Sequence, residues 1–161
     1  MAISMEWSAR TRKPEESLPL RGAACVIEPD EFDRDGISSL LRHMGFVAHE
    51  TPSGAVGALI ADQIHLSVIV INAMLQDVPA LCLIRQLRAK APEAVIIALT
   101  ADPRGLTLAH VAGADAVLAS PPCGEALCAT ITEALGLGRG QSPSMNSVGQ
   151  SCAPSAALNS I

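Results

Sequence analysis

The stretch Leu66-Ser67-Val68-Ile69-Val70-Ile71 decides the fold. Its β-branched residues favour a strand, and its apolar side chains fall on both faces, so the strand is predicted to be covered on both sides. A strand buried in this way is typical of the centre of a parallel sheet, whose connections cross back over the sheet as helices. We therefore expect helical segments before and after this stretch.

Short apolar runs alternate with segments of helical period on both sides of it. The other predicted strands are Ala24–Ile27, Phe46–His49, Val95–Leu99 and Ala116–Ala119. The predicted helices begin near Asp30, Gly54, Pro79, Pro103 and Gly124. The residues expected to face the sheet are Ile37, Leu40, Leu41, Met44, Val56, Leu59, Ile60, Leu83, Ile84, Leu87, Leu127, Ile131, Ala134 and Leu135. Five such units predict an α/β fold, a (βα)5 doubly wound parallel five-stranded sheet.

Length and composition place these units in one domain. The chain has 161 residues, of which 49% are hydrophobic and 17% charged, which suits one packed core. Residues 21–136 are predicted to form this domain. Residues 1–20 are polar and mixed in charge, and residues 137–161 are rich in Gly, Ser and Pro, so both are predicted to be disordered tails.

Composition also disfavours several classes of partner. Aromatic residues make up only 2% of the chain, and residues 23–136 carry 13 acidic against six basic side chains, so nucleic-acid binding is not expected. Apolar runs are too short to span a bilayer, and there is no secretory signal. The five cysteines show no Cys-x-x-Cys spacing and the four histidines are isolated, which favours buried thiols in a reducing compartment and no metal site. We expect a cytoplasmic protein without membrane insertion.

Polar residues follow four of the predicted strands at the point where each strand ends. Glu28-Pro29-Asp30 follows the first strand, Asn72 the third, Thr100 the fourth and Ser120-Pro121 the fifth. Because the carboxyl ends of parallel strands meet at one edge of the sheet, these residues are predicted to form one site. Local roles compete with this interpretation: Asp30 suits a helix cap, which we prefer, and Asn72 suits a turn.

The order and spacing of several motifs resemble the receiver domain of two-component response regulators. These motifs are Glu28…Arg34…Ile37…Leu41…Gly45, Gly54…Ala58-Leu59, Asn72…Leu75…Leu81…Arg88, Thr100-Ala101, Gly113-Ala114-Asp115 and Ser120-Pro121. None of them is decisive alone, but their joint order over residues 23–136 is specific. The resemblance implies a flavodoxin-like receiver fold and a role in phosphorelay signal transduction.

The residues that carry phosphorylation in that family are changed here. The resemblance puts the family's Mg²⁺-binding acidic pair on Glu28 and Pro29, its phosphoryl-accepting aspartate on Asn72, its lysine on Ser120 and its switch aromatic on Val117, and it leaves Thr100 intact. Phosphoryl transfer to aspartate needs an anionic carboxylate, which an amide does not supply. With one carboxylate left, Mg²⁺ binding is expected to be weak or absent, Glu28 being its one remaining acidic ligand. We therefore expect no enzymatic activity, no cofactor, and a closed pocket in which Asn72 hydrogen-bonds Thr100 or Ser120.

The resulting hypothesis is a stand-alone pseudo-receiver, a degenerate receiver domain that acts as a phosphorylation-independent protein–protein interaction module, an adaptor or regulator in two-component signalling. The expected partner is a signalling protein such as a histidine kinase or another response regulator, and a homodimer is a further possibility. The expected interaction face consists of Leu106, Leu108, Val111 and Val117.

Two alternatives stay open. The first is an atypical receiver that still switches by phosphorylation, through another acid such as Asp77 or Asp30. The second is a small-ligand sensor, in which the changed pocket would bind a metabolite through Asn72, Thr100 and Ser120.

Overall fold

The computed structural model describes residues 20–137 and confirms the predicted architecture of alternating strands and helices. The strands are β1 (Ala23–Ile27), β2 (Val47–Thr51), β3 (Leu66–Asn72), β4 (Val95–Thr100) and β5 (Ala116–Ala119). The helices are α1 (Glu31–His43), α2 (Gly54–Gln63), α3 (Ala80–Lys90), α4 (Pro103–Ala112) and α5 (Gly124–Ala134). All strand pairs are parallel, in the order β2-β1-β3-β4-β5. Apart from Leu20 and Leu137, the tails predicted to be disordered lie outside the described residues.

The central position predicted for β3 is confirmed. Its Ile71 is paired with Ile27 of β1 on one side and with Ala98 of β4 on the other, and all three side chains are fully buried. Hydrophobic clusters cover both faces of the sheet. One cluster involves α2, α3 and α4, and the other involves α1 and α5. This two-sided burial is the physical reason for the continuous apolar run in β3.

The second strand begins one residue later than predicted, because Phe46 belongs to the turn that ends α1. Gly45 has a left-handed φ of 93°, and the Phe46 N–H donates to the Leu41 carbonyl at 3.0 Å. This is the Schellman arrangement that ends many helices, and it confirms that Gly45 stops α1. Phe46 is buried against the α1–α5 cluster.

The predicted inward face of α2 is wrong for Val56 and Leu59, whereas Ile60 packs against the core as predicted. Val56 and Leu59 are exposed, whereas Gly54, Gly57, Ala58 and Ala61 are buried. The helix lies so close to the sheet that only small residues fit between them: a Cβ atom on Gly57 would lie 2.3 Å from Cδ1 of Ile27. In α5, Leu127 and Ile131 face the core as predicted, but Ala134 is exposed.

Substitution of Gly57 by alanine should reveal this close approach. We expect a loss of about 1–3 kcal/mol in the free energy of unfolding, because the added methyl group displaces the buried Ile27 side chain. Gly36→Ala is the matched control: Gly36 is also helical, and a Cβ atom there has no neighbour within 4 Å. It should gain about 0.5–1 kcal/mol from helix propensity. Equal stability of the two variants in urea denaturation would contradict this account of the α2 packing.

The cysteines are less uniformly buried than predicted. Cys25 is fully buried in β1, and burial raises the pKa of its thiol to about 12. Cys82 is exposed on α3, Cys123 and Cys128 are half-buried, and Cys152 lies outside the described residues. Within residues 20–137, none of the helices is long and apolar enough to cross a bilayer.

Candidate functional site

The carboxyl edge of the sheet brings together four of the positions that the sequence singles out. Glu28 follows β1, Asn72 ends β3, Thr100 ends β4, and Ser120 follows β5. Glu28, Asn72 and Thr100 are buried, and Ser120 is half-buried. Because β3 lies between β1 and β4, Asn72 lies between Glu28 and Thr100 at this edge.

Asn72 is hydrogen-bonded to Glu28, and the predicted bond to Thr100 or Ser120 is wrong. The Asn72 Nδ2 group donates to Glu28 Oε2 at 2.8 Å, and Asn72 Oδ1 accepts from the Met74 N–H at 2.7 Å. The two partners fix the amide orientation, since a carboxylate accepts and an N–H donates. The physical reason for this choice is burial: Glu28 is only 2% exposed, and a buried carboxylate must be given donors.

The loop after β1 supplies the second donor to Glu28. The Asp30 N–H donates to Glu28 Oε1 at 3.1 Å. The Arg34 guanidinium does not reach this carboxylate; it donates to the carbonyl oxygens of Glu28 and Pro29 at 2.9 and 3.2 Å and so holds the loop in place. The Asp30 side chain accepts from the Asp33 N–H at 3.0 Å, which confirms its interpretation as the cap of α1.

The Thr100 hydroxyl bonds to its own loop, and the Ser120 backbone bonds to Thr100. The Thr100 hydroxyl donates to the Asp102 carbonyl at 3.3 Å and accepts from the Asp102 N–H at 3.1 Å. The Gly105 backbone closes over it, because a Cβ atom on Gly105 would lie 2.7 Å from the Thr100 hydroxyl oxygen. The Ser120 N–H donates to the Thr100 carbonyl at 3.0 Å, and the Ser120–Pro121 peptide bond is cis.

The ligand atoms available at this edge of the sheet do not fit a magnesium ion. Mg²⁺ requires near-octahedral oxygen ligands, usually with one or two carboxylates. Here both oxygens of Glu28 accept hydrogen bonds, and Asn72 points its amide nitrogen, not its oxygen, at that carboxylate. Pro29 has no side-chain ligand atom. Within the part of the chain that the structure describes, no group of three or more His, Cys, Asp or Glu side chains is arranged to hold a metal.

Asp77 serves a purpose that no local sequence pattern indicates. Its carboxylate accepts hydrogen bonds from the Ser53 hydroxyl at 2.7 Å and from the N–H groups of Gly54 and Ala55 at 3.1 and 3.0 Å. It thus ties the loop after β3 to the beginning of α2, where negative charge is favoured. The bonds from Ala55 and Ser53, followed by that from Gly54, lower the pKa of Asp77 from 3.8 to about 2.

The lowered pKa of Asp77 predicts an acid-dependent loss of stability. A carboxyl group whose folded pKa is depressed contributes stability above its ordinary pKa of 3.8 and loses it as the pH falls through about 2. The melting temperature of Asp77→Asn should therefore lie below that of the wild type at neutral pH, and the gap should close across this acidic window. The pH-dependent part of the gap should be smaller for Ser53→Ala, which removes one donor to Asp77. This variant should also lose stability at every pH, because the Ser53 hydroxyl caps α2 by accepting from the Val56 N–H at 3.2 Å. A gap that does not change with pH would contradict the assignment.

The predicted interaction face is only partly accessible. Leu106, Leu108 and Val111 are exposed on α4, with Leu108 at 51%. Val117, on β5, is half-buried and packs against the core cluster of α2, α3 and α4, so it offers less accessible surface than the three residues of α4.

Comparison with solved structures shows the same fold in receiver domains. The chain is similar to a response regulator protein from Burkholderia pseudomallei, solved with a phosphorylated aspartic acid, at 24% identity and a TM-score of 0.64 over 72% of this chain and 70% of that one. It is also similar to the receiver domain of a sensor histidine kinase from Pseudomonas aeruginosa, solved with magnesium in its active-site cleft, at 22% identity and 0.65 over 71% and 98%. A pilus assembly-related protein from Burkholderia pseudomallei matches at 21% and 0.61 over 71% and 89%.

Comparisons of sequence add nothing further, because neither a protein-family model nor a curated protein matches the chain. The structural likeness nevertheless agrees with the order β2-β1-β3-β4-β5 and with the alternation of strands and helices described above. The chain has the fold of a response-regulator receiver domain.

Proposed function

We propose that this chain is a phosphorylation-independent interaction module of two-component signalling, a receiver fold that works through its surface. The observation that carries the proposal is the buried hydrogen bond between Asn72 and Glu28 at the carboxyl edge of the sheet. In the similar response regulator from Burkholderia pseudomallei, an aspartic acid is phosphorylated. An amide whose nitrogen donates to a carboxylate offers no comparable nucleophile.

The charge of the pocket supports the same conclusion. Phosphoryl transfer depends on cations that neutralise the charge on the transferred group. None of the ion pairs between residues 20 and 137 involves Glu28, and the nearest arginine in the chain, Arg34, is bonded to backbone carbonyls. The pocket therefore holds one negative charge with no cation bonded to it, which would repel an incoming phosphate.

Asp77 and Asp30 are poor substitutes for the missing acceptor. The Asp77 carboxylate is bonded to the first turn of α2, and the Asp30 carboxylate is bonded to the first turn of α1. Phosphorylation of either group would break these capping bonds. The hydroxyl of Thr100 and the side chain of Asn72 are likewise satisfied by neighbouring groups, which disfavours a metabolite site there.

Incubation of the full chain with radiolabelled acetyl phosphate and Mg²⁺ tests the loss of phosphorylation. We expect no incorporated label, alongside a phosphorylatable receiver domain as the positive control. Label on the wild-type chain would overturn the proposal, and peptide mapping would then identify the acceptor.

The α4 surface should carry the interaction. We expect a crosslinked pull-down of the full chain to recover a histidine kinase or another response regulator, and Leu108→Glu to lose it, because a charge replaces an exposed apolar contact. Leu59→Glu is the matched control, since Leu59 is equally apolar and 58% exposed, but on α2. Recovery should be unchanged by acetyl phosphate. Retention of the partner by Leu108→Glu would exclude the α4 surface.

A further inference from the structure

A groove between α3 and α4 is not explained by the changed phosphorylation pocket. It has a volume of about 420 Å³ and is lined mainly by apolar groups, among them Met74, Leu81 and Leu108. Met74 and Leu108 are both exposed. An apolar groove between helices is a common place for a side chain of another molecule to bind.

Two free arginines flank this groove in an otherwise acidic domain. Of the six Lys and Arg residues between positions 23 and 136, Arg42, Arg88 and Lys90 form ion pairs and Arg34 is bonded to backbone carbonyls. The other two, Arg85 and Arg104, are exposed and form no ion pair or side-chain hydrogen bond within residues 20–137. Arg85 lines the groove, and Arg104 precedes Leu108 by four residues, which places both on one face of α4. Asp102 also lines the groove, with its carboxylate accepting from the Arg104 N–H at 2.9 Å. Two arginines against one carboxylate favour an apolar group with acidic neighbours.

The beginning of α1 carries an exposed apolar side chain with acidic neighbours. Phe32 is 86% exposed, the highest value among the large exposed hydrophobic residues from 20 to 137. Glu31 and Asp35 beside it are exposed, and neither forms an ion pair within that range. Because α1 packs on the opposite face of the sheet from α3 and α4, Phe32 cannot reach the groove of its own chain.

We propose that Phe32 of one copy inserts into the α3–α4 groove of a second copy, with Glu31 and Asp35 facing Arg85 and Arg104. The two surfaces differ, so the contact is head-to-tail and each dimer leaves one Phe32 and one groove free. A phenylalanine side chain buries about 150–250 Å², far less than the roughly 1,200–2,000 Å² of a stable interface. The association is therefore reversible, dependent on concentration, and weakened by salt. It shares Leu108 with the surface of the proposed function, but its failure can be told apart from a failure of that proposal, because sedimentation is measured on the purified chain alone.

Sedimentation of the full chain over a range of concentrations tests this contact. We expect the mean mass to rise with concentration at low salt and to fall when salt is added. Phe32→Ala and Leu108→Glu should each stay monomeric, whereas Leu59→Glu should associate like the wild type. An equimolar mixture of Phe32→Ala and Leu108→Glu should form dimers and nothing larger, since only one intact Phe32 and one intact groove remain in each pair.

Three results would overturn the proposal: a wild type that is monomeric at every concentration, association that both variants retain, or a mixture that fails to dimerise. If Leu108→Glu does not fold, as judged by circular dichroism, Arg85→Glu replaces it as the groove variant. Arg85→Glu should lose association, and adding Glu31→Arg to the same chain should restore it, because every contact between copies then pairs the reversed charges. Charge reversal without rescue would show that the two surfaces do not meet.

Discussion

Replacement of Asn72 by aspartate is expected to lower the free energy of unfolding by about 3 kcal/mol at neutral pH. The substitution removes the amide that donates to Glu28 Oε2 and puts a second carboxylate about where it was. Glu28 and Asn72 are only 2% and 8% exposed, so water screens the repulsion poorly. The bond from the Met74 N–H to Oδ1 can remain, which confines the loss to the contact with Glu28. Urea denaturation of the variant and the wild type measures it.

Acid and magnesium should each relieve this loss. Two adjacent carboxylates raise the pKa of one of them in the folded state, so the cost is full at neutral pH and disappears as the pH falls toward the ordinary value of about 4. Mg²⁺ should raise the melting temperature of Asn72→Asp and leave that of the wild type unchanged, because two carboxylates form a better set of ligands. Asn72→Ala, which removes the donor and adds no charge, should not respond to Mg²⁺, and acid should relieve a smaller loss, because the buried Glu28 carboxylate has lost one donor but gained no like charge. Wild-type stability of Asn72→Asp at neutral pH would contradict the contact with Glu28.

Replacement of Arg88 by alanine should cost about 2–3 kcal/mol. The Arg88 guanidinium donates to the Gly113 carbonyl from two nitrogens, at 3.1 and 2.9 Å, and to the carbonyls of Pro92 and Ala94 at 3.0 and 2.8 Å. It also pairs with Asp115, whose carboxylate accepts from the Ile96 N–H. One side chain thus joins α3 to the loops before β4 and before β5, and its removal leaves several of these acceptors without a donor.

Two variants distinguish the contribution of the Arg88 hydrogen bonds from that of its positive charge alone. Arg88→Lys keeps the positive charge but lacks the planar group that can reach three carbonyls at once, so it should lose most of the same stability. Arg85→Ala is the control on the same helix, because Arg85 is exposed and forms no ion pair or side-chain hydrogen bond within residues 20–137. It should lie within about 0.5 kcal/mol of the wild type. Full stability of Arg88→Lys in urea denaturation would mean that charge alone accounts for the role of Arg88.

Sequence patterns predicted the strands and helices well, because burial affects every residue of such an element. The run from Leu66 to Ile71 is apolar throughout because helices cover both of its faces. Patterns could not orient α2, whose residues Gly54–Ala61 are all apolar or small. Its inward face depends on how closely the helix approaches Ile27, which is a distance between elements and has no local signature.

In the candidate site too, the sequence predicted which residues come together, but not which of them bond to each other. Parallel strands must bring their carboxyl ends to one edge, so the sequence alone was enough to collect Glu28, Asn72, Thr100 and Ser120 there. The resemblance to receiver domains also implies that the amide of Asn72 stands where that family has its phosphoryl acceptor. That residue 72 is an asparagine without a carboxylate is read directly from the sequence and needs no coordinates.

Only the tertiary structure decided which groups bond to each other. The Asn72 amide bonds to Glu28, which is 44 residues away in the sequence. The Asp77 carboxylate bonds to Ser53 at the beginning of α2, 24 residues away. Arg88, near the end of α3, bonds to residues up to 27 positions away. Whether two groups form a hydrogen bond depends on differences in distance of a few tenths of an ångström, and buried polar atoms need donors and acceptors. These distances and this burial are set only when the helices and strands pack together.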